Sequence, residues 1–419
     1  MASLTSNLLP LTSSCLLPLA FSLLLPLTAR AASPRITAVD AASGEPMAAA
    51  SVADRNGNIL GVCSDTGVLP YAPDDAFPLT VRFIGYGSAT VESPSQLRVE
   101  MHPVDYSLPE LTVEPGKRVV LHLTAYVREY STLSTYTDTV FLFREKTVDF
   151  MVPTRKAGKY RGWTQPRLLA SRSYYRFSGL HSGDSVSNTF SQHFSWSDWI
   201  GIPARLDLPV ALHTPGEAAD TLRGRYSPAC IWRRSGDDLT IDVNVLADTA
   251  CRTWVPALFA RNRRDVEFND LRLHYAFSDA GQYSVAADNL SAMTFSIETD
   301  GRGSGIYNMF RRNQPYYVNT YAEVFFTDRE YITVKDARKL EKHPPKTEDA
   351  MPMAPESVPG PDGHILALVD RVESIDLNHL RQNMQPDKRM LMRKFKGQRG
   401  PINALGGAIK SLVKKYRDH

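Results

Sequence analysis

From Arg35 to about Val334 the chain repeats one pattern: short runs of β-branched and aromatic residues, cut at close spacing by glycine, proline, asparagine and aspartate. Runs of this length are too short for helices, and their period-two alternation lays successive side chains on opposite faces of a pleated sheet. Strands that follow one another through tight turns pair antiparallel, because a parallel pair needs a crossover of a dozen or more residues between them. The fold class this predicts is mainly β, with helices confined to the C-terminal part.

The first stretch is the most regular. Ile36 to Val39 reads as a strand, Ser43-Gly44-Glu45-Pro46 as a turn, Ala50-Ser51-Val52 as a strand and Asn56-Gly57-Asn58 as a tight turn whose residues tolerate positive φ. Leu60 to Cys63, Leu79 to Ile84 and Leu97 to Met101 complete the set, with Asp65-Thr66-Gly67 turning the chain between the first two of these. Two packed antiparallel sheets accommodate such units. The order and spacing of Ser43-Gly44-Glu45-Pro46, Ala50-Ser51-Val52, Asp65-Thr66-Gly67 and Phe83-Ile84-Gly85-Tyr86 resemble the carboxypeptidase regulatory-like family, as does the exit Leu108-Pro109-Glu110-Leu111-Thr112-Val113. The resemblance implies a seven-stranded immunoglobulin-like sandwich over residues 32–113, non-catalytic and attached to larger envelope proteins.

Residues 114–337 read as a second, larger all-β domain, with alternating runs at Thr139 to Phe143, Leu239 to Val245, Leu271 to Phe277, Ala292 to Ile297 and Tyr321 to Phe326. Residues 338–364 carry Pro344, Pro345, Pro352, Pro355, Pro359 and Pro361 among charges and read as a linker, since each proline removes a backbone donor. In 365–419, Leu366, Val369, Val372, Ile375 and Leu380 have helical spacing, and Ile409, Leu412 and Val413 suggest a second short helix.

Composition sets the class. Hydrophobic residues are 43% and charged residues 22% of the chain, near the averages for soluble globular proteins. The apolar stretch from Leu8 to Leu27, followed by Ala29-Arg30-Ala31, predicts a signal peptide over 1–31, although the first seven residues carry no basic charge; an uncleaved anchor is the alternative. Cys63, Cys230 and Cys251 then remain, an odd number that excludes a complete disulfide framework, while a single bridge between Cys230 and Cys251 stays open. Pro386 to His419 holds ten basic and two acidic residues within a chain of net charge +3, so a basic tail follows an acidic body.

Motifs for chemistry are sparse. No histidine begins a His-x-x-Glu pair and no His-Glu-x-x-His occurs, so a zinc peptidase lacks its ligand spacing. Gly179-Leu180-His181-Ser182-Gly183 and Gly301-Arg302-Gly303-Ser304-Gly305 are off the register of a nucleophile elbow. Asp74-Asp75 and Asp237-Asp238 sit in turns, and adjacent strand positions point to opposite faces. No catalytic, cofactor or metal residue is therefore assigned, and no cofactor is expected.

The densest unusual segment is aromatic, from Tyr160 to Trp199. There Trp163, Tyr174, Tyr175, Trp196 and Trp199 are the candidate ligand-binding residues, because aromatic rings beside polar groups stack on sugars or anchor peptides. Core packing is the competing reading, since Phe190, Phe194 and Trp196 share one strand face. The function expected is a non-catalytic binding or scaffolding protein of the cell envelope, in the periplasm or at the outer membrane. Its partner would be an envelope protein or glycan, with the tail meeting an anionic membrane surface and no nucleic-acid role. The alternatives are a hydrolase of envelope polymers using His181, Asp184, His193 and Asp198, and a small outer-membrane β-barrel.

Overall fold

The computed structural model describes residues 35–104, 118–179, 182–189, 195–198, 200–248, 266–302, 314–343 and 352–378. The expected signal peptide, the family-like exit at 108–113, the basic tail and the second C-terminal helix lie outside these residues. The protein is mainly β, with helices near the C-terminal end.

The N-terminal part has six short strands: β1 (Thr37–Asp40), β2 (Ser51–Ala53), β3 (Ile59–Val62), β4 (Leu79–Arg82), β5 (Ala89–Val91) and β6 (Arg98–Met101). β1 pairs parallel with β6, and the other four form an antiparallel sheet in the order β3-β2-β4-β5. Between them Ala38, Ala50, Val52, Leu79, Val81, Val91, Val99 and Met101 close a small core. Among the described residues six of the expected seven strands form, while 105–113 lie outside them; Val68 makes only an isolated bridge to Thr37, with Pro70, which has no backbone donor, two residues on.

Most of the remaining described residues form a ten-stranded antiparallel sheet. Its members are β7 (Arg118–Ser134), β8 (Asp138–Pro153), β9 (Trp163–Gly179), β10 (Ser182–Thr189), β12 (Ala218–Arg223), β13 (Pro228–Ser235), β14 (Asp238–Asn244), β15 (Val266–Phe277), β17 (Leu290–Arg302) and β18 (Pro315–Thr333). The order is β10-β9-β8-β7-β18-β17-β15-β14-β13-β12, and β11 (Arg205–Asp207) pairs with β16 (Ser284–Ala286) beside it. β7, β8, β9 and β18 run for 17, 16, 17 and 19 residues, far beyond the short alternating runs visible in the sequence.

Both faces of the central strands are covered, which is why their polar alternation is weak. One face carries Leu121, Leu123, Ala125, Val127, Val140, Leu142, Phe150, Tyr175, Leu273 and Phe295, roofed by Trp196, Ile200, Ile202, Leu208 and Leu212 from the segment between β10 and β12. The opposite face carries Tyr130, Phe141, Phe143, Tyr174 and Tyr321, packed against Ala53 and Ile59 of the N-terminal strands. Ile365, Leu368 and Val372 of the C-terminal helix join the same cluster. Each such large apolar side chain contributes about 1.5 to 3 kcal/mol when fully buried.

Two helices follow the sheet. α1 (Val334–Lys342) starts directly from β18, where the Thr333 hydroxyl accepts from the Asp336 amide at 3.1 Å as an N-cap. It was not foreseen from sequence, because the strand-like run to Val334 passes into it without a break. α2 (Gly363–Asn378) forms where the helical spacing predicts a helix, but the residues it buries are Ile365, Leu368 and Val372, Leu366 is exposed, and Leu380 lies outside the described residues. The proline-rich stretch before it, read as a linker, makes contacts in its described part from 352 on: Val358 is buried with Ile84, Tyr126 and Phe325, and the Pro359 carbonyl accepts from Arg128 at 2.5 Å.

Candidate functional site

Of the five aromatic candidates, three are core residues. Tyr175 and Trp196 lie in the apolar cluster of the roofed face, Tyr174 lies on the other face, and all three are 2% exposed or less. Rings so placed offer no stacking platform to a sugar. Trp163, at the start of β9, is half-buried with the Arg167 guanidinium 4.6 Å from its ring centroid. Trp199 lies outside the described residues, as do His181 and His193 of the hydrolase reading; the Asp184 side chain is also outside them. The structure does not bring the four described aromatics to one surface.

What sequence reasoning missed is charge at the middle of the sheet. On the roofed face, successive inward positions of β7 and β8 place Glu129, Arg144 and Lys146 in the interior, each 1% exposed. The segment after β10 supplies Ser195, Ser197 and Asp198 above them. The Lys146 ammonium donates to Ser195 Oγ at 3.0 Å, to Ser197 Oγ, and to Asp198 Oδ1 at 2.6 Å, and stands 3.8 Å from Glu129 Oε2. Both seryl hydroxyls donate onward to Glu129 Oε2, and Arg144 donates to Ser173 Oγ at 3.0 Å. Burial raises the Glu129 pKa, but the Lys146 and Arg144 charges and the two hydroxyls outweigh it and hold the carboxyl below its ordinary range.

A serine 3.0 Å from a lysine invites a nucleophile reading. The hydrogen bonds run against it: Lys146 acts as donor, the seryl protons point to Glu129, and the hydroxyls are buried under the roof. Four charged side chains compensating one another in a low-dielectric setting are what a structural cluster requires.

The opposite face holds a second cluster, where three parts of the chain meet. Arg82 of β4 reaches the sheet with its guanidinium 4.7 Å above the Tyr130 ring, pairs with Asp362, and lies 3.2 Å from His364 Nε2. Beside it Glu323 is buried, and burial, countered only in part by Arg128 and Arg82, raises its pKa above the ordinary carboxyl value. His364 is lowered to about 4 by burial and by the Arg82 charge. Its ring occupies the place a Cβ on Gly57 would take, and Gly57 has φ +80°, so this turn tolerates no side chain. Further contacts tie the N-terminal strands to the sheet: the Ile59 amide donates to Thr132 Oγ1 at 2.7 Å, Arg176 donates to Asn58 Oδ1 at 2.9 Å, and Arg272 pairs with Asp65.

A third cluster lies near α1. His122 presents Nδ1 to Glu330 and Nε2 to Asp149, each at 3.2 Å, and Asp149 also accepts two bonds from Arg167. Carboxylates only accept, so this arrangement favours the form in which both ring nitrogens carry protons. Burial lowers the His122 pKa, but the two carboxylates more than offset it and the net shift is upward. Arg167 extends to the Leu340 carbonyl at 2.8 Å, fastening α1. Among the described residues no cluster has the His, Cys, Asp and Glu groups to hold a metal ion, and Cys63 and Cys230 carry no disulfide; Cys251 lies outside them.

Comparison with known proteins adds little. No family model matches the chain, and no curated protein matches it. A solved structure described for lipid–protein interactions in lipovitellin is similar over 53% of this chain and 26% of that one, at 6% identity and a TM-score of 0.24. A likeness that low carries no argument about function.

Proposed function

We propose that the chain is an exported, non-catalytic binding or scaffolding protein of the cell envelope, in which a carboxypeptidase regulatory-like module is fixed to a broad β-sheet. The observation that carries this reading is the seam at Arg82, where the N-terminal strands, β7 and the stretch before α2 share one buried ion pair and one stacked ring. A module held this way presents its outer surface, with Tyr71 at 88% exposure, in a constant orientation to the sheet. Fixed orientation is what a platform for an envelope protein or glycan needs, since binding then costs less ordering. The basic tail adds electrostatic attraction to an anionic membrane surface.

Fractionation of expressing cells tests it, with N-terminal sequencing of the mature protein and a salt wash of the membranes. A chain starting at Ala32 and released by salt supports the reading. A full-length chain resisting salt overturns it in favour of an anchored protein.

The hydrolase alternative has one observation in its favour, the Ser195–Lys146–Asp198 constellation. Covalent labelling of the native protein by a fluorophosphonate at Ser195, lost in Ser195→Ala, would favour it over the scaffold.

A further inference from the structure

The Lys146 cluster has a chemical property that neither a scaffold nor a hydrolase uses. An amine and a carboxyl from segments far apart in sequence are in direct contact, Lys146 Nζ to Asp198 Oδ1 at 2.6 Å, and the amine is 1% exposed. The carboxyl carbon is one bond beyond that oxygen, so a small rotation of the carboxyl group turns the contact toward attack on carbon. A second carboxylate, Glu129, stands 3.8 Å from the same nitrogen, with the Ser195 and Ser197 hydroxyls accepting from Lys146 and donating to Glu129. The amine's side of the cluster is aromatic: Trp196, the residue between the two serines, is 2% exposed and packs edge-on against Phe268 at 5.3 Å, while the Asp198 carboxylate keeps 22% exposure.

We propose that Lys146 and Asp198 join in an intramolecular amide, formed by the folded protein itself, with Glu129 positioning and relaying protons. The ammonium of Lys146 first passes a proton to the Asp198 carboxylate along their hydrogen bond, leaving an amine and a carboxylic acid. The amine lone pair then attacks Cγ of Asp198, forming the C–N bond while the carbonyl π pair moves to oxygen. The proton shed by nitrogen travels through the Ser195 hydroxyl to Glu129. A proton returned by the same relay goes to the departing hydroxyl, the C–O bond breaks, and water leaves. One ammonium and one carboxylate become one amide and one water, with no change in oxidation state and no co-reactant.

Two features support this over a permanent ion pair. Amide formation removes the buried Lys146 charge and its Asp198 counter-ion, leaving Glu129 and Arg144 to balance each other, whereas the unreacted cluster keeps three buried charges. The bond also ties β8 to the roof segment across about fifty residues, constraining the unfolded chain as a disulfide of that loop size does. No redox compartment limits it, which suits a chain with an odd number of cysteines after the leader.

Mass spectrometry of the intact, purified chain decides the matter. The expected mass is one water below that of the sequence, and digestion yields a branched peptide joining the fragment with Lys146 to the fragment with Asp198. Lys146→Arg and Asp198→Ala restore the full mass. Asp198→Asn keeps the site and closes the same amide by losing ammonia, so it reports even where the other variants unfold. Glu129→Gln slows bond formation about a hundredfold, the size of a lost proton relay. A wild-type mass equal to the sequence overturns the proposal, and so does a water loss confined to one unbranched peptide, which marks a cyclic imide.

Discussion

The N-terminal strands and the ten-stranded sheet obey the same β rules and differ in how openly they display them. β1 to β6 are three or four residues long, each bounded by a turn, and β6 alternates exposed and buried residues as Arg98, Val99, Glu100 and Met101. β7 is 17 residues long and buried on both faces from Tyr126 to Leu133, including Arg128 and Glu129. The first region is built from one small apolar core, the second from a large apolar core interrupted by compensated charge. Stability in the first should therefore depend on side-chain volume, and in the second on charge balance as well.

The largest expected effect lies in the charged interior. Lys146→Met removes both the cation beside Glu129 and Asp198 and the group that would form the amide, and should cost about 3 to 5 kcal/mol in urea unfolding; a loss below 1 kcal/mol would erase the contrast. Next is the volume test in the small core, where Leu79→Ala, at 0% exposure, is expected to cost about 2 to 4 kcal/mol. A negligible loss there would show that the N-terminal strands are held by the sheet rather than by their own core. At the seam, Arg82→Ala strands Asp362 and should cost about 1.5 to 3 kcal/mol, with faster amide exchange in α2 and in β4 together. Faster exchange in only one of them would separate the seam into independent contacts.

The smallest effect is pH-dependent. His122 has a folded pKa raised above its unfolded value of about 6.5. Its contribution is fully present below that unfolded value and is lost as pH rises through the folded value. Urea midpoints should fall as pH rises above about 6.5, and His122→Asn should flatten that slope. A midpoint that rises with pH over this window would contradict the His122–Asp149–Glu330 arrangement.

The difference between the two regions also explains what the sequence made legible. Ile36 to Val39, Ala50 to Val52 and Leu97 to Met101 fall within a residue or so of strands, because turn chemistry marks their ends. In the sheet, Tyr321 to Phe326 is a fragment of a strand from Pro315 to Thr333, since a strand buried on both faces shows no alternation to follow. The aromatic segment drew notice, yet Tyr174, Tyr175 and Trp196 are core, as period-two spacing alone allows. Glu129, Arg144 and Lys146 gave one usable sign, charges inside runs such as Tyr126-Val127-Arg128-Glu129-Tyr130 that otherwise read as strand. Their partners Ser195 and Asp198 lie some fifty residues beyond Lys146, a separation that only the fold closes. The proline-rich stretch reads as a linker because its contacts are made by Val358, the Pro359 carbonyl and Asp362, which no local pattern reveals.

The central claim is that the N-terminal strands, the sheet and α2 form one body joined at Arg82. Native-state hydrogen exchange across a urea series tests it directly. The account predicts that amides of β2, β4, β7, β8 and α2 open together with one free energy and one urea dependence. Loss of protection in β2 and β4 at clearly lower urea than in β7 and β8 would contradict it.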